Sequence, residues 1–140
     1  MKFKDAEFTD FSTVMAMYKD YVTTEPFVSN SVADVRIQQI GTHIRAYRRT
    51  LLSGWKGNVG ISETEDIEVT EEYRMWMNEC SKMFGGLDIL SLDAVVDANG
   101  KHTILEVNDT ATGFHPEHKE HDTAILCDLV IEKIKAKFNL

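Results

Sequence analysis

Leu92-Asp93-Ala94-Val95-Val96-Asp97-Ala98-Asn99-Gly100-Lys101-His102-Thr103-Ile104-Leu105-Glu106-Val107-Asn108-Asp109 reads as one β-hairpin. Asn99-Gly100 stands between two β-rich runs, and that dipeptide is a short-range turn signal. Folding the chain back there brings the Asp93 end of one strand beside the Glu106 end of the next. Asp93, Glu106 and Asn108 then offer a cluster of oxygens. Glu106 and Asn108 are two apart, so on a strand they share a face. Hard oxygen ligands suit Mg²⁺ or Ca²⁺, and Mg²⁺ is usually shared with nucleotide phosphates. The same spacing also fits a solvated acidic edge.

Outward from the hairpin, the flanking segments alternate between strand and helix patterns. Residues 32–40 read as a strand, with Val35, Ile37 and Gln39 on one face and Arg36, Gln38 and Ile40 on the other. Gly41-Thr42 makes a turn, and residues 43–51 read as the returning strand. Residues 52–69 are the least regular part: three glycines around Trp55 and Lys56, then an acidic stretch. A helix begins at Thr70, with Glu71 and Glu72 at its positive end. Tyr73, Trp76, Met77, Cys80 and Met83 or Phe84 form its apolar stripe, and Gly85-Gly86 ends it. A loop with Gly113 and Pro116 leads to a last helix whose apolar face carries Ile125, Leu126, Leu129, Val130, Ile134 and Phe138. Before all this, Phe11, Val14, Met15 and Tyr18 recur at helical spacing, and residues 21–28 turn β-like at Pro26. Adjacent strand pairs with interspersed helices predict an α+β domain: a largely antiparallel sheet with helices packed on one face.

Composition narrows the function. The chain has 140 residues, 43% hydrophobic and 27% charged, enough for a single domain with a real core. A net charge of −8 disfavours a nucleic-acid surface or a polybasic membrane anchor. No transmembrane run, lipidation motif or secretory signal is present, so the expected address is intracellular and cytoplasmic. Cys80 and Cys127 lie in apolar helical patterns and read as reduced core residues, not a disulfide or nucleophile.

Other polar groups carry chemistry only in combination. Lys56 in its Gly-rich loop could meet phosphate, although no Walker spacing surrounds it. Arg36, Arg45, Arg48 and Arg49 lie on or near a hairpin, where arginine forks either bind phosphate or pair with acids. The pairing reading suits Arg45 and Arg48; Arg49, nearer the Gly-rich loop, is the phosphate candidate. His115, His118 and His121 are spaced by three, but Pro116 argues for a polar loop entering the last helix and against a zinc site.

Taken together, several stretches resemble the synapsin family's central domain, an ATP-grasp fold, in its C-terminal part. They are Thr24-Glu25-Pro26-Phe27, Asp34-Val35-Arg36-Ile37-Gln38-Gln39-Ile40-Gly41, Ala46-Tyr47-Arg48-Arg49-Thr50, Ser53-Gly54-Trp55-Lys56-Gly57-Asn58-Val59-Gly60, Phe84-Gly85-Gly86-Leu87-Asp88-Ile89 and Glu106-Val107. Glu106-Val107-Asn108 is closer to the general ATP-grasp metal motif than to the vertebrate synapsin pattern. The resemblance covers nearly the whole chain and implies one half-domain over residues 1–140, with no counterpart of the first lobe. It implies that Glu25, Pro26, Phe27 and Val28 meet adenine, that Arg49 and Lys56 reach phosphates, and that Asp93, Glu106 and Asn108 hold Mg²⁺ or Ca²⁺. It assigns no catalytic residue.

The implied function is regulatory binding of ATP and a divalent metal, without turnover. A half-site is expected to bind ATP weakly, because water does not replace the missing contacts. Two rivals stay open: a structural or interaction subunit of a larger assembly that retains a degenerate ATP-grasp half, and a fragment of an ATP-dependent carboxylate–amine ligase. Phe27, Val28, Ile89, Leu90 and Leu92 are expected near the ATP-side face. Apolar surface there would favour a protein partner or homo-oligomer. Peripheral vesicle association follows by resemblance only.

Overall fold

The computed structural model describes residues 26–51 and 62–140. Five strands form one sheet: β1 (Ser31–Ile40), β2 (His43–Leu51), β3 (Ser62–Ile67), β4 (Ile89–Asp97) and β5 (His102–Asn108). Their spatial order is β3-β2-β1-β4-β5, and every neighbouring pair is antiparallel. Among the described residues two α-helices accompany the sheet, α1 (Glu71–Cys80) and α2 (Lys119–Phe138). This is the expected α+β architecture with an antiparallel sheet, but the helices, expected on one face, contact both: α1 lies over Ile37 and Leu92, and α2 meets Arg45 on the opposite face. The expected helix around residues 11–21, Glu25 and the loop bearing Lys56 lie outside the described residues.

Strand alternation sorts the sheet into two unlike faces. Val35 and Ile37 pack with Ala46, Leu90, Leu92 and Ala94 on one face, beneath Tyr73 and Met77 of α1. Ile37, Leu90, Leu92 and Met77 are each 0% exposed. Burying one such side chain contributes about 1.5–3 kcal/mol, so this face holds most of the stability. The register puts the intervening residues together on the other face: Arg36 opposite Tyr47 and Asp93, and Gln38 opposite Arg45 and Ser91. That face is polar. Leu90 and Leu92 were expected on it, but they alternate with Ser91 and Asp93 and so belong to the core.

Helix α1 forms where the sequence places it. The Thr70 hydroxyl accepts from the Tyr73 N–H at 3.2 Å, and Glu71 and Glu72 fill the first turn. The helix stops at Cys80, earlier than its apolar periodicity implied. A single 3₁₀ turn, Met83–Gly85, follows, with Phe84 at φ 54° and Gly85 at φ 87°. Phe84 is 85% exposed, so it leaves the buried stripe to which it was assigned. The left-handed backbone at Phe84 turns its ring away from the core.

The acidic stretch expected to be irregular contains the edge strand β3. Ser62-Glu63-Thr64-Glu65-Asp66-Ile67 has too little apolar content to announce a strand, but its partner β2 is basic. Arg48 pairs with Glu65 directly across the ladder. Cross-strand charge pairs of this kind favour a strand, and a charged edge resists further pairing.

Helix α2 crosses the polar face at one end of the sheet. Asp122, only 1% exposed, meets Arg45 of β2 at 3.1 Å. Leu129 approaches the β1–β2 turn so closely that a Cβ on Gly41 would lie 3.3 Å from its Cδ1, and Gly41 itself has φ 59°. Only glycine fits both demands. Ile125, Leu126 and Leu129 are half-buried, whereas Val130, Ile134 and Phe138, expected on the same apolar face, are exposed. Cys127, expected in the core, is exposed as well, while Cys80 is half-buried.

Candidate functional site

The hairpin turn is built around Asp97. Its carboxylate accepts from the N–H groups of Asn99 at 2.8 Å and Lys101 at 2.9 Å, which hold its pKa below the ordinary carboxylate value. Gly100 alone in the turn has positive φ, 79°. Residues on β5 then pair with β4: His102 with Val96, Thr103 with Val95, Ile104 with Ala94. After Ile104 the register shifts, and Glu106 faces Asp93. Leu105 is the extra residue of a β-bulge. By simple alternation Glu106 would fall on the core face with His102, which bonds the Tyr73 hydroxyl of α1 at 2.8 Å. The bulge reverses the phase and delivers Glu106 to the polar face.

Asp93, Glu106 and Asn108 therefore stand together. Asn108 Nδ2 donates to Asp93 Oδ2 at 3.1 Å and to Glu106 Oε1 at 3.4 Å. The Asp93 carboxylate is also gripped by Arg36 of β1, with Nε to Oδ1 and Nη2 to Oδ2 both at 2.6 Å. Asp93 raises the Arg36 pKa, chiefly through these hydrogen bonds, so the guanidinium stays charged. This partnership was not assigned from sequence, because β1 and β4 are far apart along the chain.

Beside this cluster lies a cleft of about 500 Å³ lined by Arg36, Tyr47, Arg49, Thr64, His115 and their neighbours. The loop after β5 folds back to form its wall. Thr112 Oγ1 donates to Ser91 Oγ at 2.7 Å, and Gln38 Nε2 donates to the Gly113 carbonyl at 3.2 Å. His115 packs on Tyr47 with ring centres 4.8 Å apart. Tyr47 is 4% exposed, and burial raises its phenol pKa against the opposing pull of Arg36 and Arg49. Arg49 makes no ion pair among the described residues, unlike Arg48 with Glu65 and Arg45 with Asp122 and Asp66. The acid pairing expected of Arg45 and Arg48 is present.

Pro26, Phe27 and Val28 form an irregular lead into the turn before β1, with Phe27 46% exposed. Glu25 and Lys56 lie outside the described residues. The three histidines take separate partners, although the rings of His115 and His118 lie 5.3 Å apart. His118 bonds Asp66 at 2.9 Å, His115 stacks on Tyr47, and His121 meets Arg45 at 3.3 Å. A different set, His43, His121 and Asp122, brings its ligand atoms within 4.8 Å of one another. The Arg45 guanidinium already reaches both His121 and Asp122 there.

Comparison with known proteins places this geometry in context. Residues 2–136 match the family model described as the synapsin ATP-binding domain. The chain is 34% identical over 111 residues to synapsin of Drosophila melanogaster, covering 79% of this chain and 11% of that protein. Among solved structures it is similar to the macrocyclase MdnC of Microcystis aeruginosa bound with its precursor peptide MdnA, at TM-score 0.56 and 19% identity, over 73% of this chain and 34% of that one. It is also similar to the ATP-grasp ligase PsnB complexed with a minimal precursor, at TM-score 0.48 and 22% identity, over 64% of this chain and 30% of that one. The chain thus spans about a third or less of each of these three proteins. In fold it is similar to part of the macrocyclase MdnC.

Proposed function

The chain belongs to the synapsin ATP-binding-domain family, and from that premise we propose that it binds ATP with a divalent cation and acts by regulated binding, not turnover. The observation that carries this reading is the meeting of Asp93, Glu106 and Asn108 on one face, next to a cleft bordered by Arg36 and Arg49.

The donor set fits a hard cation. Two carboxylates supply charge, and Asp93 already holds a positive group. Asn108 turns its Nδ2 toward both acids; a half-turn of the amide presents Oδ1 instead. Mg²⁺ or Ca²⁺ held there would supply charge neutralisation for nucleotide phosphates. Arg49 offers a planar fork to the same phosphates, and Lys56, outside the described residues, would add an ammonium. Glu25, Pro26, Phe27 and Val28 serve the adenine end, where the exposed Phe27 ring offers an apolar surface.

Isothermal calorimetry with Mg²⁺-ATP tests the reading. Asp93→Asn and Glu106→Gln are each expected to weaken binding at least about tenfold, the scale of losing one ligand charge at a partly solvated site. Unchanged affinity in both variants would overturn it.

A second reading, an interaction module, is favoured by the exposed Val130, Ile134 and Phe138 on α2. It is compatible with nucleotide binding and with a protein partner or a second copy of the chain. Among the described residues no helix is long and apolar enough to cross a membrane. The family premise supports a cytoplasmic module with peripheral vesicle association.

A further inference from the structure

Arg36 occupies the position that a cation on Asp93 would need. Both Asp93 oxygens accept from the guanidinium at 2.6 Å, and the two side chains are 27% and 21% exposed. A divalent ion bonded to a carboxylate oxygen sits 2.0–2.6 Å from it. Ion and guanidinium would then be within about 4 Å of each other, where like charges at a part-buried site repel strongly. Deprotonation gives no escape, because an arginine guanidinium stays charged in proteins. The side chain has somewhere to go: it already lines the cleft shared with Arg49 and Tyr47.

We infer that Arg36 is a built-in competitor for the divalent cation, displaced from Asp93 far more readily when an anion in the adjoining cleft takes over its guanidinium. A polyphosphate is the anion that fits, since it reaches the cation and the cleft at once. This rests on the cation-and-nucleotide reading of the site and adds to it a coupling. The cation alone binds weakly, because it must displace Arg36 into water. With polyphosphate present, the displaced fork gains a bidentate partner, and each ligand strengthens the other. The competition also guards the acidic cluster: without its ligands, Asp93 and Glu106 would be two neighbouring carboxylates with no positive group between β1 and β4.

The test uses Mn²⁺ as the probe, followed by the electron paramagnetic resonance of the free ion, on the full chain with and without a non-hydrolysable ATP analogue. Without nucleotide, Arg36→Gln is expected to bind Mn²⁺ about tenfold tighter than wild type, as removal of one nearby positive charge implies. Asp93→Asn should bind it weakly or not at all. The nucleotide analogue should strengthen Mn²⁺ binding more in wild type than in Arg36→Gln. Arg36→Lys retains the charge but not the fork, and should fall between the two; it also serves if the glutamine variant fails to fold. If Arg36→Gln and Arg36→Lys bind Mn²⁺ no tighter than wild type while Asp93→Asn loses it, the competition is overturned and the cation site stands. If no form binds Mn²⁺, with or without the analogue, the cation reading itself falls and the competition with it.

Discussion

Glu106 faces Asp93 across the β4–β5 ladder because one extra residue, Leu105, sits between Ile104 and Glu106. Upstream of that residue, His102 points to the core face and bonds Tyr73; downstream, Glu106 and Asn108 share the face of Asp93. A side chain's face on a strand depends only on odd or even position, so a single inserted residue decides which side the carboxylate occupies.

Deleting Leu105 should leave Glu106 opposite Asp93, because the unbulged ladder then runs from Ile104 on Ala94 straight to Glu106 on Asp93. The strand would regain strict alternation, with His102 on the core face and Glu106 on the polar one. Divalent-cation binding measured by calorimetry should be retained in the folded variant. Loss of cation affinity with intact folding would show that the bulge positions the site through more than strand phase.

Arg49→Gln should weaken binding of a nucleotide triphosphate more than that of the nucleoside. Arg49 makes no ion pair among the described residues, so its loss should leave the melting temperature of the nucleotide-free protein within about 2 °C, in keeping with a surface change of at most about 0.5 kcal/mol. Calorimetry with ATP and adenosine, beside thermal unfolding, checks both halves. Equal loss for ATP and adenosine would remove Arg49 from the phosphate end.

Met77 of α1 is 0% exposed and touches the central cluster formed by β1 and β4. Met77→Ala should cost about 2–5 kcal/mol of unfolding free energy, from lost transfer energy plus the cavity left behind. Urea denaturation should show a lower midpoint with an unchanged slope. A cost below about 1 kcal/mol would mean that α1 is not seated on the sheet.

His43 should make stability pH-dependent below neutrality. Burial is the main cause that lowers its pKa, and Arg45 and the neighbouring His121 act in the same direction against Asp122. The unfolded chain then binds a proton on this ring more readily than the folded one, from about pH 6.5 downward, so folding stability declines as pH falls through that window. In His43→Gln the decline should be smaller. Thermal melts between pH 7.5 and 5.5 compare the two; parallel curves would assign the titration to other groups.

Much of this arrangement was readable from residue order. Local signals placed the β1–β2 turn at Gly41-Thr42, the α1 cap at Thr70 and the hairpin turn at Asn99-Gly100, because caps and turns depend on side chains within a few residues. The two-residue alternation of residues 32–40 separated core from polar face, and the hairpin reading put the Asp93, Glu106 and Asn108 side chains side by side, as they stand. Strand β3 was missed, since Ser62–Ile67 has no apolar face of its own and forms only against the arginines of β2. The tertiary structure alone decided that Leu105 would bulge, that β4 would lie beside β1, and hence that Arg36 would close on Asp93. Turn chemistry acts over a few bonds, so sequence determines it; strand order and ladder phase are settled by which faces can be buried together, and only the assembled sheet expresses that choice.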